Sequence, residues 1–80
     1  MPGSVFTDAY ASLVERLIEL RKARGLLQSE VAARLGKPQQ FVSKVENRDR
    51  RLDAIELYQY VKALDADPVE LVAAVYRELG

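Results

Sequence analysis

The sequence contains no cysteine and no histidine among its 80 residues. Without cysteine the chain can form no disulfide, no thiolate nucleophile and no cysteine-ligated zinc or iron–sulfur site. Without histidine it lacks the commonest general base and the commonest metal ligand. The carboxylates of its last third lie mostly at predicted helix starts, where the helix dipole accounts for them. The sequence therefore predicts that the protein is not an enzyme and uses no cofactor or metal.

Long apolar runs are also missing. No stretch approaches the roughly 18 apolar residues of a membrane span, and the N-terminus does not resemble a signal peptide. We therefore expect a cytoplasmic protein with no membrane partner. The length of 80 residues predicts one small domain with one modest core. Residues 1–7 are expected to form a flexible leader, and residues 8–80 the domain itself.

Neither sign of charge is in excess, because 12 Lys and Arg residues balance 12 Asp and Glu residues. The charges are nevertheless unevenly placed: residues 36–52 carry a net charge of +3 and residues 53–80 a net charge of −4. A neutral protein with this distribution can still present an attractive face to phosphates. The same zero net charge and acidic C-terminal third also support another interpretation, a protein-interaction module that does not bind DNA.

What the sequence does contain is helical periodicity, with no segment that alternates like a strand for long enough to form one. Thr7 or Asp8 is predicted to cap the first helix, and Asp53 with Glu56 to form a capping box at the start of the fourth. These signals predict an all-α fold, a bundle of five helices. Their approximate spans are 8–24, 28–35, 39–47, 53–64 and 67–79.

The second and third helices are short and are joined by a tight turn at Gly36, as in a helix-turn-helix. If Val42 and Val45 face inward, the helical period leaves four polar residues on the outer face of the third helix. Glutamine can bond an adenine edge and lysine the guanine acceptors in the major groove. The alternative is that these side chains are simply solvated. The residues predicted to read bases are Gln39, Gln40, Ser43 and Lys44.

Most of the chain, roughly residues 13–72, resembles the Cro/C1-type (Xre-like) helix-turn-helix family of phage repressors and related regulators. The resemblance rests on Gly25-Leu26, on Gln28 with Glu30 and Ala32, and on Leu35-Gly36. It also rests on two runs, PQQFVSKVEN and RRLDAIEL. Each motif is weak alone, but together they are highly specific.

This resemblance implies a phage-repressor-like fold and a sequence-specific DNA-binding transcriptional regulator, a repressor or autoregulator. Such a protein would bind near-palindromic operators in double-stranded DNA as a homodimer, through the major groove. An antitoxin or a protein-interaction module that keeps the fold is the alternative, and any protein partner is unknown. The expected phosphate contacts are Gln28, which the resemblance implies, and Lys37, Arg48 and Arg50.

The chain departs from the family pattern at two positions. Leu27 stands where a serine or threonine usually caps the helix, so a side-chain cap is lost. Arg48 stands where a glycine usually follows the recognition helix. The left-handed turn expected there must therefore fall on Asn47 or on Arg48 itself.

Two further expectations concern structure rather than DNA. Arg51 is predicted either to be solvated or to pair with Glu46 or a helix end. The last helix carries more apolar surface than so small a core can cover, so part of it is predicted to form a dimer interface, with the first helix as the alternative. The interface residues expected on the last helix are Val72, Val75, Tyr76 and Leu79.

Overall fold

The computed structural model describes residues 5–80, with side chains from Asp8 onward. Those residues form five α-helices and no strand, which confirms the predicted all-α, five-helix fold. Within the same range, no helix has both the length and the apolar character needed to cross a bilayer. The helices are α1 (Val5–Ala23), α2 (Gln28–Leu35), α3 (Gln39–Glu46), α4 (Ala54–Ala63) and α5 (Pro68–Leu79).

The first helix begins earlier than predicted. Thr7 and Asp8 lie inside α1, so neither is its N-cap. Asp8 lies in the first turn instead, where a carboxylate also interacts favourably with the helix dipole. An acidic residue near a helix start therefore fits two positions, and the sequence pattern did not separate them. Of the predicted leader, residues 1–4 lie outside the described part of the chain and residues 5–7 belong to α1.

Four of the five helices are followed by a residue with a left-handed backbone. These residues have φ between 58° and 68° and are Gly25, Gly36, Arg48 and Asp65. In each case the two hydrogen bonds of a Schellman motif close the helix end. The two glycines adopt this conformation without strain because they have no Cβ atom. The two other residues adopt it despite their side chains.

The core lies where α2 packs against α3 and α4 and where α1 packs against α3, while α5 packs against α1 and α4. Aliphatic side chains from all five helices meet there with one aromatic residue, Tyr60. The buried cluster thus fixes α3 from its inner side only. Its members are Leu17, Val31, Ala32, Val42, Val45, Tyr60, Val61, Leu64 and Leu71.

The start of α2 has half of a capping box. Leu27 occupies the N-cap position with an extended backbone, but its side chain cannot accept a hydrogen bond and is 64% exposed. The other half is present, because the Leu27 amide donates to Glu30 Oε1 at 2.7 Å. The departure noted in the sequence is therefore partly offset by Glu30.

Leu27→Ser should complete this capping box and raise the free energy of unfolding by about 1 kcal/mol. Urea denaturation of the purified chain would measure the change. Leu27→Ala is the matched control, since it removes the same exposed side chain and supplies no acceptor. Equal stability of the serine and alanine variants would contradict the prediction.

Candidate nucleic-acid interface

The turn between α2 and α3 has the geometry of a helix-turn-helix. Gly36 has a φ of 68°, its amide donates to Ala33 O at 3.1 Å, and the Lys37 amide donates to Ala32 O at 2.9 Å. Pro38 then takes the N-cap position of α3 with an extended backbone. The chain thus reverses within three residues and starts the second helix of the motif directly.

The third helix has one buried and one exposed face, as the sequence predicted. Val42 and Val45 are completely buried, whereas Gln39, Gln40 and Lys44 are exposed and Ser43 is half-buried. Gln39, Gln40 and Ser43 line a shallow surface depression. The outer face of α3 therefore offers amide, hydroxyl and ammonium groups to a ligand that approaches from solvent. These groups can match the donors and acceptors of base edges in a major groove.

A partly buried ion pair joins α1, α2 and α3 behind this face. Glu46 Oε2 accepts from Arg21 Nε at 2.6 Å, and Glu46 Oε1 accepts from Arg21 Nη2 at 3.1 Å and from Gln28 Nε2 at 2.8 Å. The side chains of Arg21 and Glu46 are only 13% and 7% exposed. Arg21 Nη1 also donates to Leu26 O at 2.8 Å. The hydrogen bond to Glu46 raises the pKa of Arg21, against the opposing effect of burial.

Of the alternatives predicted for Arg51, pairing with Glu46 does not occur, and Arg51 is exposed. Arg21 takes that place, because α1 crosses α3 beside the carboxylate. Arg51 lies instead over the ring of Tyr10, with its guanidinium carbon 4.2 Å from the ring centroid. No local sequence signal identifies Arg21, since it lies 25 positions from Glu46 and fits equally well as a cation in the last turn of α1.

Gln28 was predicted to contact a phosphate, and the structure places it at the start of α2 with its amide nitrogen bonded to Glu46. One N–H and the carbonyl oxygen of this amide remain for another partner. Gln28 is half-buried. Its side chain is therefore held in a defined orientation before any ligand binds.

Arg50 is held by three elements. Its Nη1 donates to Glu56 Oε1 at 2.6 Å, and its Nη2 donates to Glu56 Oε2 at 2.8 Å. Nη1 also donates to Arg51 O at 2.7 Å. The guanidinium carbon lies 4.8 Å from the ring centroid of Phe41 on α3. The Arg50 hydrogen bonds and then the Asp53 amide lower the pKa of Glu56 to about 2. Arg50, which the sequence predicted as a phosphate contact, thus fastens the segment between α3 and α4.

The remaining predicted contacts are less constrained. Lys37, Lys44 and Arg48 are exposed, and none of them forms a salt bridge with another residue of the described chain. Lys37 Nζ lies 5.3 Å from the ring centroid of Phe41, on which Arg50 also packs. Three uncompensated cations therefore flank or lie on α3.

The predicted dimer interface on α5 needs one correction. Val75 is only 7% exposed and belongs to the core, so the folded monomer does not present it to a second subunit. Tyr76 is 66% exposed, Leu79 is partly exposed and Val72 is half-buried. Val69, which the sequence analysis missed, is 76% exposed beside them, in a shallow apolar groove that also includes Val72 and Tyr76. The apolar residues of α5 occupy one broad face, and helical spacing alone does not show which part of that face packs on the core and which part meets solvent.

Glu46→Gln should lower the free energy of unfolding by about 1–3 kcal/mol, because it leaves the partly buried Arg21 guanidinium without its counter-charge. Urea denaturation would measure the loss. Glu78→Gln is the control: it breaks the surface pair with Arg16, whose side chains are both more than a third exposed. That change should leave stability nearly unchanged, because solvent screens an exposed pair. Equal losses in the two variants would contradict a structural role for the buried pair.

The Arg50–Glu56 pair should make stability depend on acid. Because the pKa of Glu56 is lowered from 4.5 to about 2, its stabilising contribution is complete above pH 4.5 and is lost as the pH falls towards 2. Glu56→Gln should therefore show a smaller loss of stability than the wild type between these two pH values. Urea denaturation at several pH values would measure the slope, with Glu15→Gln, an exposed carboxylate on α1, as the control. Parallel curves for the wild type and Glu56→Gln would contradict the prediction.

Comparison with known proteins gives a consistent result. A helix-turn-helix family model matches residues 17–71, which includes α2, α3 and the turn between them. An uncharacterised HTH-type transcriptional regulator of Sinorhizobium fredii, y4dJ, is 45% identical over 53 residues, which cover 66% of this chain and 69% of that protein.

A solved structure extends the similarity to the whole fold. An XRE-family like protein from Pseudomonas syringae pv. tomato superimposes with a TM-score of 0.89 at 42% identity. The match covers 91% of this chain and 89% of that chain. The similarity therefore includes all the elements that present α3.

Proposed function

This chain belongs to the XRE-like helix-turn-helix family, and from that premise we propose that it is a sequence-specific, double-stranded DNA-binding transcriptional regulator. The family is one of DNA-binding proteins and not of enzymes. The proposed binding unit is residues 8–80, with residues 28–47 as the motif. We place the protein in the cytoplasm, where a regulator of this kind would meet its DNA.

The observation that carries the proposal is the division of α3 into two faces. Val42 and Val45 hold the helix to the core, while Gln39, Gln40 and Lys44 stand exposed on the opposite side. A recognition helix needs this arrangement, because its early residues must reach base edges while its inner face stays packed. We therefore assign base contacts to the three exposed residues and to Ser43, whose small side chain allows close approach.

Phosphate contacts would position α3 in the groove and supply much of the affinity. We assign them to Lys37 and Arg48, which are exposed and unpaired within the described chain, and to Gln28 and Arg50. The last two already hold a carboxylate partner, and both keep donors beyond those bonds. Glu46 and Glu56 would thus orient them towards the DNA backbone. Binding should weaken as salt concentration rises.

We further propose that the protein acts as a homodimer and as a repressor or autoregulator. Two copies related by a two-fold axis would read half-sites about 34 Å apart, one turn of the duplex. The exposed apolar surface of α5 supports a subunit contact there, formed by Val69, Val72, Tyr76 and Leu79. Surfaces of this kind often mark protein contacts in small soluble domains.

Selection of bound sequences from a random DNA pool tests the proposal directly. We expect enrichment of a near-palindromic motif whose half-sites are about one duplex turn apart. Binding of the selected site should then be titrated at two salt concentrations, where the affinity should fall with salt. Absence of enrichment together with negligible, salt-independent binding would overturn the proposal in favour of a protein-interaction module.

Gln40→Ala should reduce the preference for the selected site over random DNA by about 1–3 kcal/mol, the value of one good pair of base contacts. The measurement is a competition titration with both DNAs. Gln59→Ala is the matched control, because Gln59 is an exposed glutamine on α4 outside the motif. An equal loss of binding to both DNAs in Gln40→Ala would contradict the base-reading role of Gln40.

A further inference from the structure

Arg48 has a backbone conformation that side-chain-bearing residues rarely adopt. Its φ is 63°, while Asn47 before it is right-handed with a φ of −84°. The equivalent positions after α1 and α2 are occupied by Gly25 and Gly36. A left-handed conformation is unfavourable for a residue with a Cβ atom, and arginine lacks the short polar side chain that lets asparagine and aspartate tolerate it.

The end of α3 imposes this conformation. The Arg48 amide donates to Val45 O at 3.0 Å, and the Asp49 amide donates to Lys44 O at 2.8 Å. These two hydrogen bonds satisfy carbonyl groups that the helix would otherwise leave open. Arg48 therefore cannot relax to an ordinary φ without breaking them.

Asp65 provides an internal comparison, because it holds the same position after α4 with a φ of 58°. Its carboxylate Oδ2 accepts from Arg34 Nη1 at 3.1 Å, and its carbonyl accepts from Arg24 Nη2 at 3.0 Å. The guanidinium of Arg48, in contrast, is exposed and has neither a hydrogen-bond nor a salt-bridge partner among the side chains that the structure describes. Within that part of the chain, the backbone hydrogen bonds at the end of α3 compensate the strain at Arg48, and no contact of its guanidinium adds to them.

We propose that Arg48 lowers the stability of the free monomer in return for a DNA contact. Its guanidinium, directly after the recognition helix, would bind a phosphate oxygen and so gain on DNA the partner that the folded chain does not supply. This inference rests on the proposed function. It adds that Arg48 raises the affinity for DNA and at the same time lowers the stability of the folded monomer. A phosphate contact carries no base information, so Arg48 would strengthen binding to selected and random DNA alike.

Three variants test the proposal, each examined by thermal unfolding and by DNA titration at several salt concentrations. Arg48→Gly should raise Tm by a few degrees, because the strained position becomes a glycine. It should also weaken binding of both selected and random DNA by about tenfold. The slope of log affinity against log salt should become shallower by about 0.9 for each lost phosphate contact, or roughly 2 for a dimer. Arg48→Lys should keep the wild-type slope and show no gain in Tm.

Asp65→Gly is the matched control, since it changes the same position at the end of α4, and its one contact with the motif is the ion pair with Arg34 in the last turn of α2. It should leave DNA affinity and its salt dependence unchanged. An Arg48→Gly variant that binds the selected site as the wild type does would overturn the inference and leave the proposed function standing. A variant that weakens binding with no rise in Tm would overturn the conflict between stability and affinity. Failure of the wild type itself to bind any selected DNA would overturn both proposals.

Discussion

The hydrogen bonds around Glu46 are the constraint on which the orientation of α3 and its exposed face depends. Hydrophobic contacts between α3 and the core are non-directional and would tolerate small rotations of the helix. The three bonds that Glu46 accepts from Arg21 and Gln28 are directional, and they join α3 to α1 and α2. A charge in this position is acceptable because its partner Arg21 is also partly buried and forms hydrogen bonds to Glu46 and to Leu26 O. The orientation of α3 therefore depends on polar groups as well as on apolar packing.

A second carboxylate plays the same part beyond the C-terminal end of α3. Glu56 holds Arg50, and Arg50 packs on Phe41, so the segment after the helix is tied both to α3 and to the start of α4. The cations around α3 thus fall into two groups. Arg21 and Arg50 are paired with carboxylates and fix the geometry, and Arg50 keeps further donors for a ligand. Lys37, Lys44 and Arg48 are exposed and form no salt bridge within the described chain.

The sequence predicted the features that depend on local patterns. The five helices, the turn at Gly36 and the outward position of Gln39 and Gln40 all follow from helical spacing and from the residues at helix ends. It did not predict the partner of Glu46, because that contact depends on how α1 crosses α3. The burial of Val75 was not predicted for a related reason. Helical spacing identifies an apolar face but does not show how much of it a neighbouring helix covers. Which of Asn47 and Arg48 is left-handed also required the structure.

The burial of Tyr60 gives the protein an intrinsic optical reporter. The chain has no tryptophan, so its near-ultraviolet absorbance above 270 nm comes mainly from its four tyrosines. Burial raises the pKa of the Tyr60 phenol, while Tyr58 and Tyr76 are exposed to solvent. The Tyr60 ring also lies 6.5 Å from that of Phe41 on α3. Formation of tyrosinate at this residue in alkaline solution would therefore signal, without any label, that the packing beneath α3 has opened.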